Sequence, residues 1–120
     1  MANDEEMLCK IRDLQRSIAQ FESAFEKRYG ISLNEGMVLC SLKKSSKLSA
    51  AELGNLLGLT HSNTSKVIKS VESKGYILRT IGNYDKRQMY FSLTDQGKQI
   101  IASVKCDMTG MPEILSRIIR

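Results

Sequence analysis

Between Leu48 and Gly97 the chain sets two short helical patterns, a glycine-containing turn between them and a basic hairpin after them. The first pattern, Leu48-Ser49-Ala50-Ala51-Glu52-Leu53-Gly54-Asn55-Leu56-Leu57, opens on Ser49 as a cap, and Glu52 completes a capping box. Its inward side is Leu53, Leu56 and Leu57. In the turn Gly58-Leu59-Thr60, Gly58 takes a positive φ, Leu59 plugs the core and Thr60 caps the next helix. Gly54 supplies the small side chain that two steeply crossing helices need. After Gly75, alternation predicts strands Ile77–Ile81 and Gln88–Leu93, joined by Gly82-Asn83-Tyr84-Asp85-Lys86-Arg87. The order constrains the chain to a helix-turn-helix followed by a β wing.

Projecting residues 60–74 at about 100° per residue puts Thr64, Val67, Ile68 and Val71 on one face, which must be the core face. Ser62, Lys66, Lys69 and Ser73 fall opposite, flanked by Asn63, Ser65 and Ser70. That outer face carries no acid and no bulky apolar group, so it suits close approach to a polyanion. In helix-turn-helix docking the N-terminal half of the second helix meets base edges. Ser62, Asn63, Ser65 and Lys66 are therefore the candidates for the major groove, Asn63 toward adenine and Lys66 toward guanine. Lys69, with Thr60 and His61 at the helix start, suits backbone and phosphate contact. Lys86 and Arg87 at the hairpin tip are placed to reach an adjacent minor groove. Asp85 either holds Arg87 or caps the turn, or it is simply a turn-forming residue.

Charge placement agrees. The net charge is +5, yet residues 43–93 hold nine Lys and Arg against three acids, and the first 29 residues hold five against six. A basic middle between near-neutral ends is the footprint of a polyanion-binding surface, although charge alone also fits a solvated face. Length suits one domain over residues 1–120. No apolar run approaches the ~20 residues of a membrane span, and the start Met1-Ala2-Asn3-Asp4-Glu5-Glu6 is unlike a secretory signal, so a cytoplasmic protein is expected. Cys9, Cys40 and Cys106 lie far apart and His61 is the sole histidine, which indicates neither a disulfide framework nor a metal site, and no cofactor. Cys40 is expected in the core.

The flanking segments read as helices. Met7, Ile11, Leu14, Ile18, Phe21 and Phe25 step by 4, 3, 4, 3 and 4 along a helix over residues 4–29 that Gly30 ends. Such a seam packs inside one subunit or against a partner, and a dimerisation role is favoured because a small binding domain does not need so long a helix ahead of it. Asn34 is expected to cap a second helix, with Met37, Val38, Leu39, Cys40 and Leu42 buried. Thr94 caps a last long helix carrying Ile100, Ile101, Val104 and Met108, which Gly110-Met111-Pro112 breaks before a closing helix from Glu113 to Arg120.

From about Leu33 to Lys98 the chain resembles the MarR family of bacterial transcriptional regulators. The resemblance rests on Leu53-Gly54, Gly58-Leu59-Thr60, Ser65-Lys66-Val67, Val71-Glu72-Ser73-Lys74-Gly75-Tyr76-Ile77, Arg79, Asp85-Lys86-Arg87 and Ser92-Leu93-Thr94-Asp95-Gln96-Gly97. It implies a mainly helical winged helix-turn-helix over residues 33–97, flanked by dimerisation helices over 1–32 and 98–120. It also implies a homodimer on a pseudo-palindromic operator in double-stranded DNA, with Arg79 joining Asp85, Lys86 and Arg87 in the wing. Met7, Ile11, Leu14, Ile18 and Phe21, with Ile114, Leu115 and Ile118, would form the dimer interface. Repression relieved by a small-molecule effector or an oxidant is the implied regulation. Many members continue with a longer final helix, so here the seam from Met7 to Phe25 would carry more of the pairing. Some members sense peroxide through a cysteine in the first helix, where Cys9 lies, but Leu33 and Gly36 stand where those relatives carry tyrosines.

Two other function classes compete. An enzyme lacks a nucleophile–base pair or a phosphate-binding glycine loop. A winged helix used for protein interaction or RNA binding often loses its basic face, which Lys66, Lys69, Lys86 and Arg87 retain here.

Overall fold

The computed structural model describes residues 4–82, 88–104 and 112–119. Its elements are α1 (Asp4–Tyr29), α2 (Leu33–Ser45), β1 (Leu48–Ser49), α3 (Ala50–Leu57), α4 (His61–Ser73), β2 (Ile77–Ile81), β3 (Met89–Leu93), α5 (Asp95–Ser103) and α6 (Glu113–Ile119). The protein is mainly helical with a three-stranded antiparallel sheet in the order β1-β3-β2. One compact unit holds α1 and α6, and the other holds α2 to α5 with the sheet. A boundary drawn after Gly97 therefore falls inside α5. Among the described residues no helix is long and apolar enough to cross a membrane.

In the first unit, Asp4, Glu5 and Glu6 open α1 and Lys27 and Arg28 close it, each end matching the helix dipole. Gly30 follows at φ +73°, its N–H on the Glu26 carbonyl at 2.9 Å. The seam grades along the helix. Met7, Ile11 and Ile18 are exposed, Leu14 and Phe21 are half-buried, and Phe25 is buried. The Phe25 ring lies 6.0 Å from Phe21 and 4.9 Å from Tyr29. The helix α6 packs on α1 with Leu115 buried, while Ile114 and Ile118 remain exposed.

The second unit buries Val38, Leu39, Leu42, Leu48, Leu53, Ile68, Val71, Ile77 and Phe91. Its start corrects the expected cap. Ser32, not Asn34, caps α2: its Oγ accepts from the Glu35 N–H at 3.1 Å, and Glu35 Oε1 accepts from the Ser32 N–H at 2.8 Å. A capping box needs an acid three residues on, which Ser32 has in Glu35 and Asn34 lacks in Met37.

Three residues expected in the core are exposed. The buried stripe of α2 is Glu35, Val38, Leu39 and Leu42, and Met37 and Cys40 lie to one side of it. In α3 the buried residues are Leu53 and Gly54, and Leu56, two positions past Gly54, stands 62% exposed. Met37, Cys40, Leu56 and Leu57 line one open groove of about 330 Å³.

The helix α5 ends before the expected break. Ser103 turns its hydroxyl to the Ile100 carbonyl at 2.6 Å, and Val104 is already extended at φ −74°, ψ 102°. Cys106, Met108 and Gly110-Met111 lie outside the described residues.

Candidate nucleic-acid interface

The turn from α3 into α4 is built as its residues dictate. Gly58 sits at φ +69°, and the N–H groups of Gly58 and Leu59 both donate to the Gly54 carbonyl. Thr60 then caps α4, its Oγ1 accepting from the Asn63 N–H at 3.1 Å. Thr64 turns its hydroxyl to the Thr60 carbonyl at 2.7 Å and packs against Gly54, where a Cβ would stand 2.9 Å from Thr64 Oγ1. This contact fixes the crossing of α3 over α4 at its N-terminal end.

The rotation of α4 follows from its apolar period. Thr64, Ile68 and Val71 are buried and Val67 is half-buried. His61, Ser62, Asn63, Lys66, Lys69 and Ser73 are exposed on the other side, with Ser65 half-buried. No acid stands in the first turn, so the positive end of the helix dipole is unopposed. The outer face can therefore approach an anionic backbone and offer amide, hydroxyl and ammonium donors to it.

The wing stem pairs β2 with β3 from Ile77↔Leu93 to Ile81↔Met89, and β1 covers the other edge of β3 through Leu48↔Phe91. A two-residue β1 leaves no alternation for a sequence reading to find. Asp85, Lys86 and Arg87 lie outside the described residues. Arg79, expected in the wing, stands on β2 and is held by α4. Its Nε and Nη2 donate to the two Glu72 carboxylate oxygens at 2.7 and 2.6 Å, and its guanidinium lies 5.5 Å from the Phe91 ring centroid. The hydrogen bonds from Arg79 hold the Glu72 carboxyl below its ordinary range, against a smaller opposing effect of burial. Arg79 thus ties the wing stem to the end of α4.

A second acid grips α4 from the other side. Glu35 is 4% exposed, yet it is fully engaged: Lys74 Nζ donates to both carboxylate oxygens at 2.8 and 3.0 Å, and Ser70 Oγ donates to Oε2 at 2.8 Å. The Ser32 N–H supplies the fourth hydrogen bond. Sequence reasoning passed over Glu35, Ser70, Glu72 and Lys74 as site residues. Only Glu35 had a local signal, the Ser32-x-x-Glu35 box.

Burial pushes the Glu35 carboxyl up, but the hydrogen bonds from Lys74, Ser32 and Ser70, with the Lys74 charge, outweigh it and hold the group below its usual value. A carboxyl lowered on folding contributes stability that is complete above its unfolded value and lost as pH falls through the folded one. The urea midpoint is accordingly expected to fall as pH drops below 4.5. Glu35→Gln should show a smaller fall between about pH 6 and pH 3. An equal fall in that variant would put the acid sensitivity elsewhere.

The sequence model of the MarR family matches residues 31–89. The HTH-type transcriptional regulators SarZ of Staphylococcus epidermidis and Staphylococcus aureus are 32% identical over 74 residues, 62% of this chain and 50% of theirs. The chain thus spans about half the length of these curated relatives. Among solved structures, the S. aureus MepR–DNA complex superposes with a TM-score of 0.76 at 19% identity, covering 92% of this chain and 81% of MepR. YusO from Bacillus subtilis gives a TM-score of 0.66 at 24% identity, covering 98% of this chain and 84% of YusO. The fold is theirs, and residues 31–89 match the sequence pattern of the MarR family.

Proposed function

We propose that the chain is a sequence-specific, dimeric DNA-binding transcriptional regulator, a repressor released by a small ligand or another signal. The observation that carries the reading is the outer face of α4. Ser62, Asn63, Lys66 and Lys69 stand exposed there with no acid beside them in the first turn, while the opposite side is buried. Ser62, Asn63, Ser65 and Lys66 read bases, and Thr60, His61 and Lys69 meet the backbone. The wing residues Lys86 and Arg87 flank them, with Asp85 in the turn and Arg79 holding the stem. This is binding chemistry, with no catalytic step. MepR, of the same fold, is seen on DNA, and SarZ is an HTH-type transcriptional regulator, which supports the assignment.

Dimerisation is supported by the row of Met7, Ile11 and Ile18 along α1, 51%, 46% and 37% exposed, and by Ile114 and Ile118 on α6. Apolar side chains at heptad spacing on one long helix are covered by a second such helix. The pairing matters for function because two recognition helices read two half-sites.

The test is binding to duplex DNA across salt concentrations. A dimer engaging about six phosphates loses roughly 10³-fold in affinity between 50 and 200 mM salt, because each neutralised phosphate releases counterion. Sequences selected from a random duplex pool should form an inverted repeat. Absence of duplex binding at low salt overturns the reading, and tighter binding to RNA or only to a protein would replace it.

A further inference from the structure

We infer that Glu35, on α2, is a positioning residue for base reading on α4, an inference that rests on the DNA-binding function above. The helix α4 is pinned near its start by Thr64 against Gly54. Near its end, one buried carboxylate holds Ser70 and, four residues on, Lys74. Two grips one turn apart on one side of a helix fix its rotation as well as its tilt. Ser62, Asn63 and Lys66 are exposed on the side of α4 away from the buried Thr64, so their tips stand up to about 10 Å from that contact across a helix ~10–12 Å in diameter. Releasing the far end lets the helix pivot on the Thr64 contact. A pivot of roughly 10° displaces groups about 10 Å away by nearly 2 Å, several times the ~0.5 Å within which a designed or natural contact must be held. Phosphate contacts tolerate such a shift and bidentate base contacts do not.

The Glu35 carboxylate also suits this task better than Glu72, the acid on α4 itself. The Glu72–Arg79 pair joins α4 to a strand of the wing stem, and Arg79 has a side-chain exposure of 47%. Glu35 joins α4 to α2, whose Val38, Leu39 and Leu42 are buried in the core, and its own side-chain exposure is 5%. It therefore transmits the position of the core to the reading helix. Its capping box in turn holds Glu35 itself in place, since Oε1 accepts from the Ser32 N–H.

The experiment compares wild type, Glu35→Gln, Lys74→Gln and the double variant on a duplex selected by wild type and on a random-sequence duplex, with urea stability measured alongside. Gln keeps the size of Glu35 and an acceptor for the Ser32 N–H, so the fold is retained. Glu35→Gln is expected to lose about tenfold in affinity for the selected duplex, with the random-duplex affinity and the salt slope unchanged. Lys74→Gln should lose a similar factor, and the double variant no more than either alone, because both break one grip. Unchanged selected-duplex affinity in Glu35→Gln, or equal losses on both duplexes, overturns the inference. If Glu35→Gln fails to fold, Ser70→Ala removes one grip point while leaving the ion pair, and full retention of specificity there overturns it as well. Failure of the DNA reading itself is seen first in the wild-type arm, as no duplex binding at low salt.

Discussion

Replacing Gly97 by alanine is expected to destabilise the protein by about 3 kcal/mol and to lower its melting temperature by roughly 10 °C. The reason lies in how α5 leaves the wing. Thr94 caps the helix, its Oγ1 accepting from the Gly97 N–H at 3.0 Å while its hydroxyl donates to the Gly75 carbonyl at 2.7 Å. The Thr94 N–H in turn donates to the Tyr76 carbonyl at 3.1 Å. These bonds draw the first turn of α5 against the Tyr76 backbone so closely that a Cβ on Gly97 would overlap the Tyr76 carbonyl oxygen, with Leu93 Cδ2 at 3.2 Å. The carbonyl cannot yield without losing Thr94, and the next residue, Ile77, is paired with Leu93 in the sheet. The helix must therefore move off the wing stem. Alanine is the better helix former by about 1 kcal/mol, so helix propensity alone predicts the opposite sign. Lys98→Ala, one residue on and exposed, should stay within about 0.5 kcal/mol of wild type. Thermal melts of the three proteins decide it, and a Gly97→Ala variant as stable as wild type would mean that α5 does not lie against Tyr76.

The same geometry shows what a sequence can and cannot reveal here. Thr94 and Gly97 were legible as a cap and a family pattern, but the carbonyl that demands glycine belongs to Tyr76, twenty-one positions earlier. Elements with a local code were read correctly: α1 from its 4-3 seam, α3 and α4 from Ser49, Glu52, Gly58 and Thr60. The rotation of α4 was legible because its period alone separates Thr64, Ile68 and Val71 from Ser62, Lys66 and Lys69. Where burial depends on which neighbour a helix meets, local pattern misled. Met37, Cys40 and Leu56 are apolar or small, and each sits beside its helix's buried stripe instead of on it. The Glu35–Lys74 pair joins residues thirty-nine positions apart and has no sequence signature as a pair. Arg79 and Glu72 both stand in the family pattern, yet nothing local pairs them.

Asn63 and Lys66 should together account for most of the sequence preference, and the variant lacking both is expected to lose about 2–6 kcal/mol of specific binding. Three residues apart on α4, they project side by side from its N-terminal half, and both are exposed. The Asn63 backbone is already fixed by the Thr60 cap, so its amide starts from a set position. Pairing bidentately with adenine uses both ends of that amide, and Lys66 adds a donor for guanine O6 or N7. Each such pairing is worth about 1–3 kcal/mol of discrimination, and neighbouring ones need not add. Alanine at either exposed helical position should leave the melting temperature within a few degrees, so a drop in affinity is a failure of reading. Lys69→Ala is the informative contrast. Placed one turn deeper on the same face, it should weaken selected and random duplexes alike and flatten the salt slope by about one unit for each phosphate left without its lysine. Titrating the three variants against both duplexes separates the roles. If Asn63→Ala with Lys66→Ala kept the wild-type ratio of selected to random binding, the bases would be read by other residues than the start of α4.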